Sequence, residues 1–204
     1  MKILNLYKNE WGKIKNLKSR IIYSLCLFLV FSLGGYINAV KNTKDTDTLL
    51  NAFKESSKAK GLSSENEWYV QAFKLFLNNS EATLLFIVLG VIPLLFLPII
   101  LLGINGLLVG VVLAKTDALK GIVFGLAPHG FTELTAVFIA VAIGITISEH
   151  LTKRLLRKDT DNTIKGILVE AFKTFFLIIV PLLIISGILE STLTPFLIEK
   201  FITK

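Results

Sequence analysis

The sequence predicts an all-α fold: a polytopic transmembrane helical bundle of about five spans with a broken or re-entrant middle element. Three observations carry this reading. The chain is 53% hydrophobic and only 18% charged, where a soluble domain carries about 25% charged residues. Its mean hydropathy is +0.68. The charges also sit between long apolar runs instead of being dispersed among them, the pattern of a chain that crosses a bilayer repeatedly. The net charge is +7, but Met1–Arg20 holds six Lys or Arg against the single acid Glu10, so +5 of it lies in the first twenty residues. That is a cytoplasmic flank, and no nucleic-acid partner is expected. Cys26 is the only cysteine, which excludes an internal disulfide or a thiolate metal cluster. In an apolar helix it acts as a small hydrophobe.

Residues 1–20 form a basic segment. Leu4, Tyr7, Trp11, Ile14 and Leu17 recur at i, i+3, i+7, i+10 and i+13, which predicts an amphipathic helix on the inner leaflet; the alternative is an unstructured basic flank. Residues 21–40 are the first span, matching the ~20 residues a bilayer requires. The long basic lead and the absence of a small-x-small cleavage site before Lys41 make it an uncleaved anchor, not a signal peptide.

Residues 41–81 are an external polar connection with six Lys and six acids. Within it, Ser64-Glu65-Asn66-Glu67 has capping-box spacing, predicting a helix from Glu65 to Leu77 on the membrane surface, with Trp68 and Tyr69 at headgroup level. Residues 82–195 are the membrane core. Ala82–Ala114 is thirty-three residues without a charge, too long for one straight span. It reads as a second span over Ala82–Gly103, kinked by Pro93 and Pro98, with a break at Asn105-Gly106. A third, irregular element covers Asn105–Ala127, either crossing or re-entering, with Lys115, Asp117 and Lys120 lining a buried cavity or separating half-helices. Phe131–Ser148 is the fourth span and Leu168–Leu189 the fifth, kinked at Pro181; residues 196–204 are a tail. Between the last two spans, Glu149–Gly166 carries five Lys or Arg against three acids. Five crossings therefore place the N-terminus in the cytoplasm and the C-terminus outside a multi-pass plasma-membrane protein; four crossings, with a re-entrant middle region, would put both termini inside.

The functional interest lies in Pro128-His129-Gly130-Phe131-Thr132-Glu133, a polar knot in an apolar stretch. A central charge costs at least ~2.5 kcal/mol to insert. If Pro128 and Gly130 break the helix, Thr132 caps the fourth span; if the helix starts earlier, His129 and Glu133 share a face at i, i+4. In the five-span topology Glu190 reaches the same level. His129, Glu133 and Glu190 should then form one polar centre in the outer half, near Asn78, Asn79 and the Asn38 end of span one. Glu170 and Lys173 form a separate pair ~30 Å away at the inner end. One His with two carboxylates fits a metal site, a proton-linked gate or a hydrogen-bonded packing node. With no His-Glu-x-x-His, Gly-x-Ser-x-Gly or Walker sequence, no catalytic residue is assigned and no cofactor is expected. Gly103, Gly106 and Gly110, and Gly121 with Gly125, have the spacing of close helix contact, within the bundle or in a homodimer.

The stretch Leu126-Ala127-Pro128-His129-Gly130-Phe131-Thr132-Glu133-Leu134, followed by Ala140 and Gly144, resembles the Pro-His-Gly-x-x-Glu-Leu signature of the stage II sporulation protein M family. Asn78-Asn79 ahead of a span, Asn105-Gly106 with Gly110, and Gly187-Ile188-Leu189-Glu190 ahead of Pro195 fit the same pattern. The resemblance covers about Phe73 to Pro195. It implies a multi-spanning membrane protein of about five helices, and assigns no biochemical role to the motif residues. In endospore formers the family's namesake works with two partners, one a peptidoglycan-degrading enzyme, in the membrane migration of engulfment. Members also occur in bacteria and archaea that make no spores, so the sporulation role does not transfer.

The expected function is a non-enzymatic anchor or organiser of a membrane complex. Its expected partners are the bilayer, other membrane or cell-surface proteins, and a second copy of itself. One alternative is a small permease or transporter subunit with an intramembrane polar site, suggested by the proline beside Glu133. The other is an intramembrane metal-dependent hydrolase, with His129, Glu133 and Glu190 as metal ligands.

Overall fold

A computed structural model describes residues 2–42, 46–48, 50–52, 55, 67–93, 97–115, 118–157 and 163–201. The elements are α1 (Lys2–Ile14), a 3-10 turn (Lys15–Leu17), α2 (Lys18–Lys41), α3 (Trp68–Leu89), α4 (Leu97–Ala114), α5 (Ala127–Leu155), α6 (Ile164–Thr174) and α7 (Val180–Phe201). A helical turn (Ala118–Lys120) and a π-helical turn (Gly121–Leu126) lead into α5, and a second π-helical turn (Phe175–Ile179) joins α6 to α7. No strand occurs among the described residues. Five helical stretches are long and apolar enough to cross a membrane: Asn5–Lys41, Trp68–Leu89, Leu97–Ala114, Gly121–Leu155 and Ile164–Phe201.

Helix α5 is the centre. Ala136, Ala140, Val141 and Ala142 are completely buried, and Ile139 and Ile147 nearly so. Small Ala and Gly residues on several faces let the other spans approach from all around. Helix α2 is peripheral: Ile22, Leu29, Val30, Leu33 and Val40 are exposed, as an apolar face meeting lipid would be. Cys26 is on this exposed surface too.

Glycines bring the spans into backbone contact. A Cβ built on Gly110 of α4 would collide with Ser32 O and lie 2.7 Å from Tyr36 N of α2, and one on Gly35 would strike Leu107 O. A Cβ on Gly144 of α5 would meet Phe86 O of α3 and lie 2.9 Å from Pro98 Cγ of α4. One on Gly187 of α7 would lie 2.8 Å from Ala72 O of α3. These contacts join the spans in the order one, three, four, two, five. Gly106 fits as its spacing suggests, 2.9 Å from Phe28 O by the same construction, whereas Gly125 faces open space.

Several sequence boundaries are corrected. The surface helix and the start of the second span are one continuous element, α3, which ends at Leu89 and not at Gly103. Asn78-Asn79-Ser80-Glu81 sits inside it. Glu67 is its N-cap residue without a side-chain cap bond, and the rest of the capping-box sequence lies outside the described residues. The chain turns at Gly90–Pro93, where the N–H groups of Gly90, Val91 and Ile92 bond carbonyls three residues back at 3.0–3.2 Å. Pro98 does not kink a span but sits in the first turn of α4, where its missing N–H has no partner to lose. Asn105-Gly106 is no break: it lies within α4, and exposed Asn105 donates to Leu101 O at 2.9 Å.

The middle region is thus one regular span followed by an irregular lead into α5. Lys115 sits at that junction and pairs with Asp47 of the polar connection at 2.7 Å, so it is at the bundle's edge. Asp117 lies outside the described residues. Residues 196–201 are not a tail but the last turns of α7.

At the opposite end, α1 is a folded helix that packs against the bundle with Tyr7 and Ile14, joined by Leu17 of the 3-10 turn. Trp11 of the expected stripe is exposed instead, and the lone acid Glu10 is the buried residue. Lys13 bridges Glu10 at 3.0 Å and Glu170 at 3.1 Å, and Thr174 donates to Glu10 at 3.2 Å. Arg20 bonds Glu149 at 2.5 Å. Glu170 therefore takes Lys13, not Lys173, as its cation.

Candidate functional site

Pro128 and Gly130 do not interrupt the fourth span. The chain is helical through them, so His129 and Glu133 lie one turn apart on one face of α5. Proline removes a donor from the helical ladder. Here the adjustment is upstream: the π-helical turn Gly121–Leu126 ends two residues before Pro128, and Phe175–Ile179 ends two residues before Pro181. Widened turns of this kind relieve local misfit in a helix and recur at functional sites. Thr132 is not a cap; its hydroxyl donates to His129 O at 2.8 Å.

Helix α7 supplies the other half. Ser186, Glu190 and Thr194 occur at i, i+4 and i+8 and therefore line one face. One ligating atom from each of His129, Glu133 and Glu190 lies within 4.8 Å of the others. All three residues are partly buried. Ser186 Oγ lies 3.4 Å from Glu133 Oε2 and 3.4 Å from His129 O. His129 Nδ1 lies 3.0 Å from Thr194 Oγ1, whose hydroxyl donates to Leu189 O at 3.3 Å. A hydroxyl has one proton; with that proton on Leu189 O, Thr194 accepts from His129 Nδ1–H. In that neutral tautomer Nε2 is the ring nitrogen with the lone pair.

Glu133 is sixteen residues from Glu149, about 24 Å along α5 at 1.5 Å per residue, which separates this cluster from the ion pairs at the α1 end. The Asn side chains bond elsewhere than to the cluster. Asn38 is exposed and accepts from Asn42 at 2.8 Å. Asn78 donates to Asn79 Oδ1 at 3.4 Å, and Asn79 O accepts from Thr83. Asn79 Nδ2 is buried without a partner among the described residues. Gly130 is buried beside Leu126, whose Cγ would lie 3.1 Å from an added Cβ. Sequence reasoning passed over Ser186 and Thr194; their four-residue spacing about Glu190 was the available signal.

The model of the family described as stage II sporulation protein M matches residues 24–195. The chain belongs to that family. The family match includes the whole His129, Glu133, Glu190 cluster and all the glycine contacts, and leaves α1 outside. No curated protein and no solved structure matches the chain. Family membership and the five apolar helices make it an integral membrane protein, multi-pass in architecture.

Proposed function

We propose that this protein is a non-enzymatic organiser of a membrane complex, a rigid platform on which other membrane or cell-surface proteins assemble. The observation that carries this reading is the series of close glycine contacts linking all five spans, backbone to backbone except where Gly144 meets the Pro98 ring. Packing of that kind favours a fixed shape over the sliding of helix groups that alternating access needs. The basic α1 end faces the cytoplasm and the C-terminus lies outside, as the charge bias of residues 1–20 and 149–166 supports.

The test is crosslinking in intact membranes, followed by sizing of the product in nanodiscs. A discrete assembly containing other proteins, disrupted by Gly144→Leu, is expected. Recovery of the chain only by itself overturns the reading. Orientation is tested with membrane-impermeant thiol reagents in a Cys26→Ser background: a cysteine at Glu199 should label from outside, and one at Asn9 should not.

A transporter subunit is the second reading, favoured by the π-helical turn Gly121–Leu126 that precedes Pro128 and the polar cluster. Solute uptake by reconstituted liposomes that is lost in Glu133→Gln would support it.

A further inference from the structure

Four acids among the described residues are withdrawn from the surface: Glu10, Glu133, Glu149 and Glu190. Glu10 has Lys13 and Glu149 has Arg20. Glu133 and Glu190 have each other and His129, and none of the ion pairs among the described residues reaches them. Two carboxylates held together in a low-dielectric bundle need a positive charge between them, either a shared proton or a cation.

The histidine favours a cation. Its Nδ1 is held by Thr194 at 3.0 Å, and Thr194 lies 3.3 Å from Leu189 O, which leaves Nε2 as the nitrogen to ligate. Holding one ring nitrogen by an outer hydrogen bond while the other keeps its lone pair is how metal-ligating histidines are oriented. A hydroxyl also faces Glu133, from Ser186 at 3.4 Å, as outer-shell partners of ligating carboxylates do.

We propose that His129, Glu133 and Glu190 bind one divalent transition-metal ion, zinc by the type and number of its ligands, which ties α5 to α7. One nitrogen and two carboxylate oxygens make a three-ligand set of borderline softness, suited to zinc more than to the all-oxygen cages of calcium or magnesium. Bonds of 2.0–2.1 Å place tetrahedral ligands about 3.3 Å apart. Atoms already within 4.8 Å must close by up to about 1.5 Å, which side-chain rotation of the two glutamates would supply. The inference does not depend on the organiser reading, because its measurements concern only the isolated chain.

The test uses the full chain in lipid nanodiscs, stripped with chelator and titrated with zinc chloride. One zinc per chain is expected, with a rise in the thermal unfolding midpoint. Glu190→Gln and His129→Ala should abolish this binding, while His150→Ala, at the α1 end of α5, keeps it. Thr194→Val should weaken affinity about tenfold, the lower range for an outer-shell partner. Should the ligand variants fail to fold, cobalt chloride with the wild-type chain decides: visible absorption bands of a four-coordinate nitrogen and oxygen site are expected. X-ray absorption of the zinc form should show one imidazole. Non-saturable zinc, an unchanged isotherm in Glu190→Gln, or a six-coordinate water-like cobalt spectrum overturns the proposal. A proton-sharing carboxylate pair would give the first of these results.

Discussion

The two ends of α5 solve the same electrostatic problem in different ways. At the α1 end each withdrawn acid meets a cation of the chain itself: Arg20 for Glu149, Lys13 for Glu10. Toward the other end, Glu133 and Glu190 meet one another, a histidine and the Ser186 hydroxyl, and no Lys or Arg among the described residues pairs with them. The first arrangement is complete within one polypeptide. The second stays acidic until something is added. Charge at the α1 end is thus an element of fold, and charge at the far end is where the proposed metal ion would bind.

Predictions follow from that contrast, beginning with what both ends depend on. Gly144→Leu should cost more than ~3 kcal/mol, beyond the usual range for overpacking, because the new side chain meets Phe86 O, which is backbone. Loss of a monodisperse species after extraction would show it. Glu149→Gln should lower stability by up to ~1 kcal/mol, less at high salt, as for a partly exposed ion pair; thermal unfolding at two ionic strengths reads it. Glu190→Gln should not lower the unfolding midpoint of metal-free protein, because it leaves Glu133 beside a neutral amide in place of a second acid. A fall there, matching that of Glu149→Gln, would erase the contrast. Gly125→Ala should be the smallest change, within about 0.5 kcal/mol, since nothing lies within 4 Å of the added carbon.

Much of this was legible in the sequence. Apolar runs of bilayer length gave the number of spans, and their alternating direction brought Glu190 to the level of His129 and Glu133. The boundaries around residues 65–127 were not legible, for identifiable reasons. Four polar residues, Asn78 to Glu81, split the hydropathy of α3 without splitting its hydrogen bonds. Asn105 looked like a break but bonds its own helix at Leu101 O, an option sequence pattern does not exclude. At Pro93 the turn was taken for a kink, since proline permits both. In the α1 stripe Tyr7, Ile14 and Leu17 pack as expected, but the burial of Glu10 in place of Trp11 was not legible, because its partners Lys13 and Thr174 include one 164 positions away. The Gly144–Phe86 contact is likewise set by tertiary approach and leaves no local mark.

The glycine contacts also govern how the protein can be made. Their order, one, three, four, two, five, is not the order in which spans leave the ribosome. A nascent chain released after span three holds one closed pair, one with three, and a second span whose glycine-contact partners have not yet been synthesised. Span two must wait in the bilayer for four and then five. Truncations ending before residue 144 should therefore be poor substrates for assembly and good ones for membrane quality-control proteases, and completion should come as a late, single locking event.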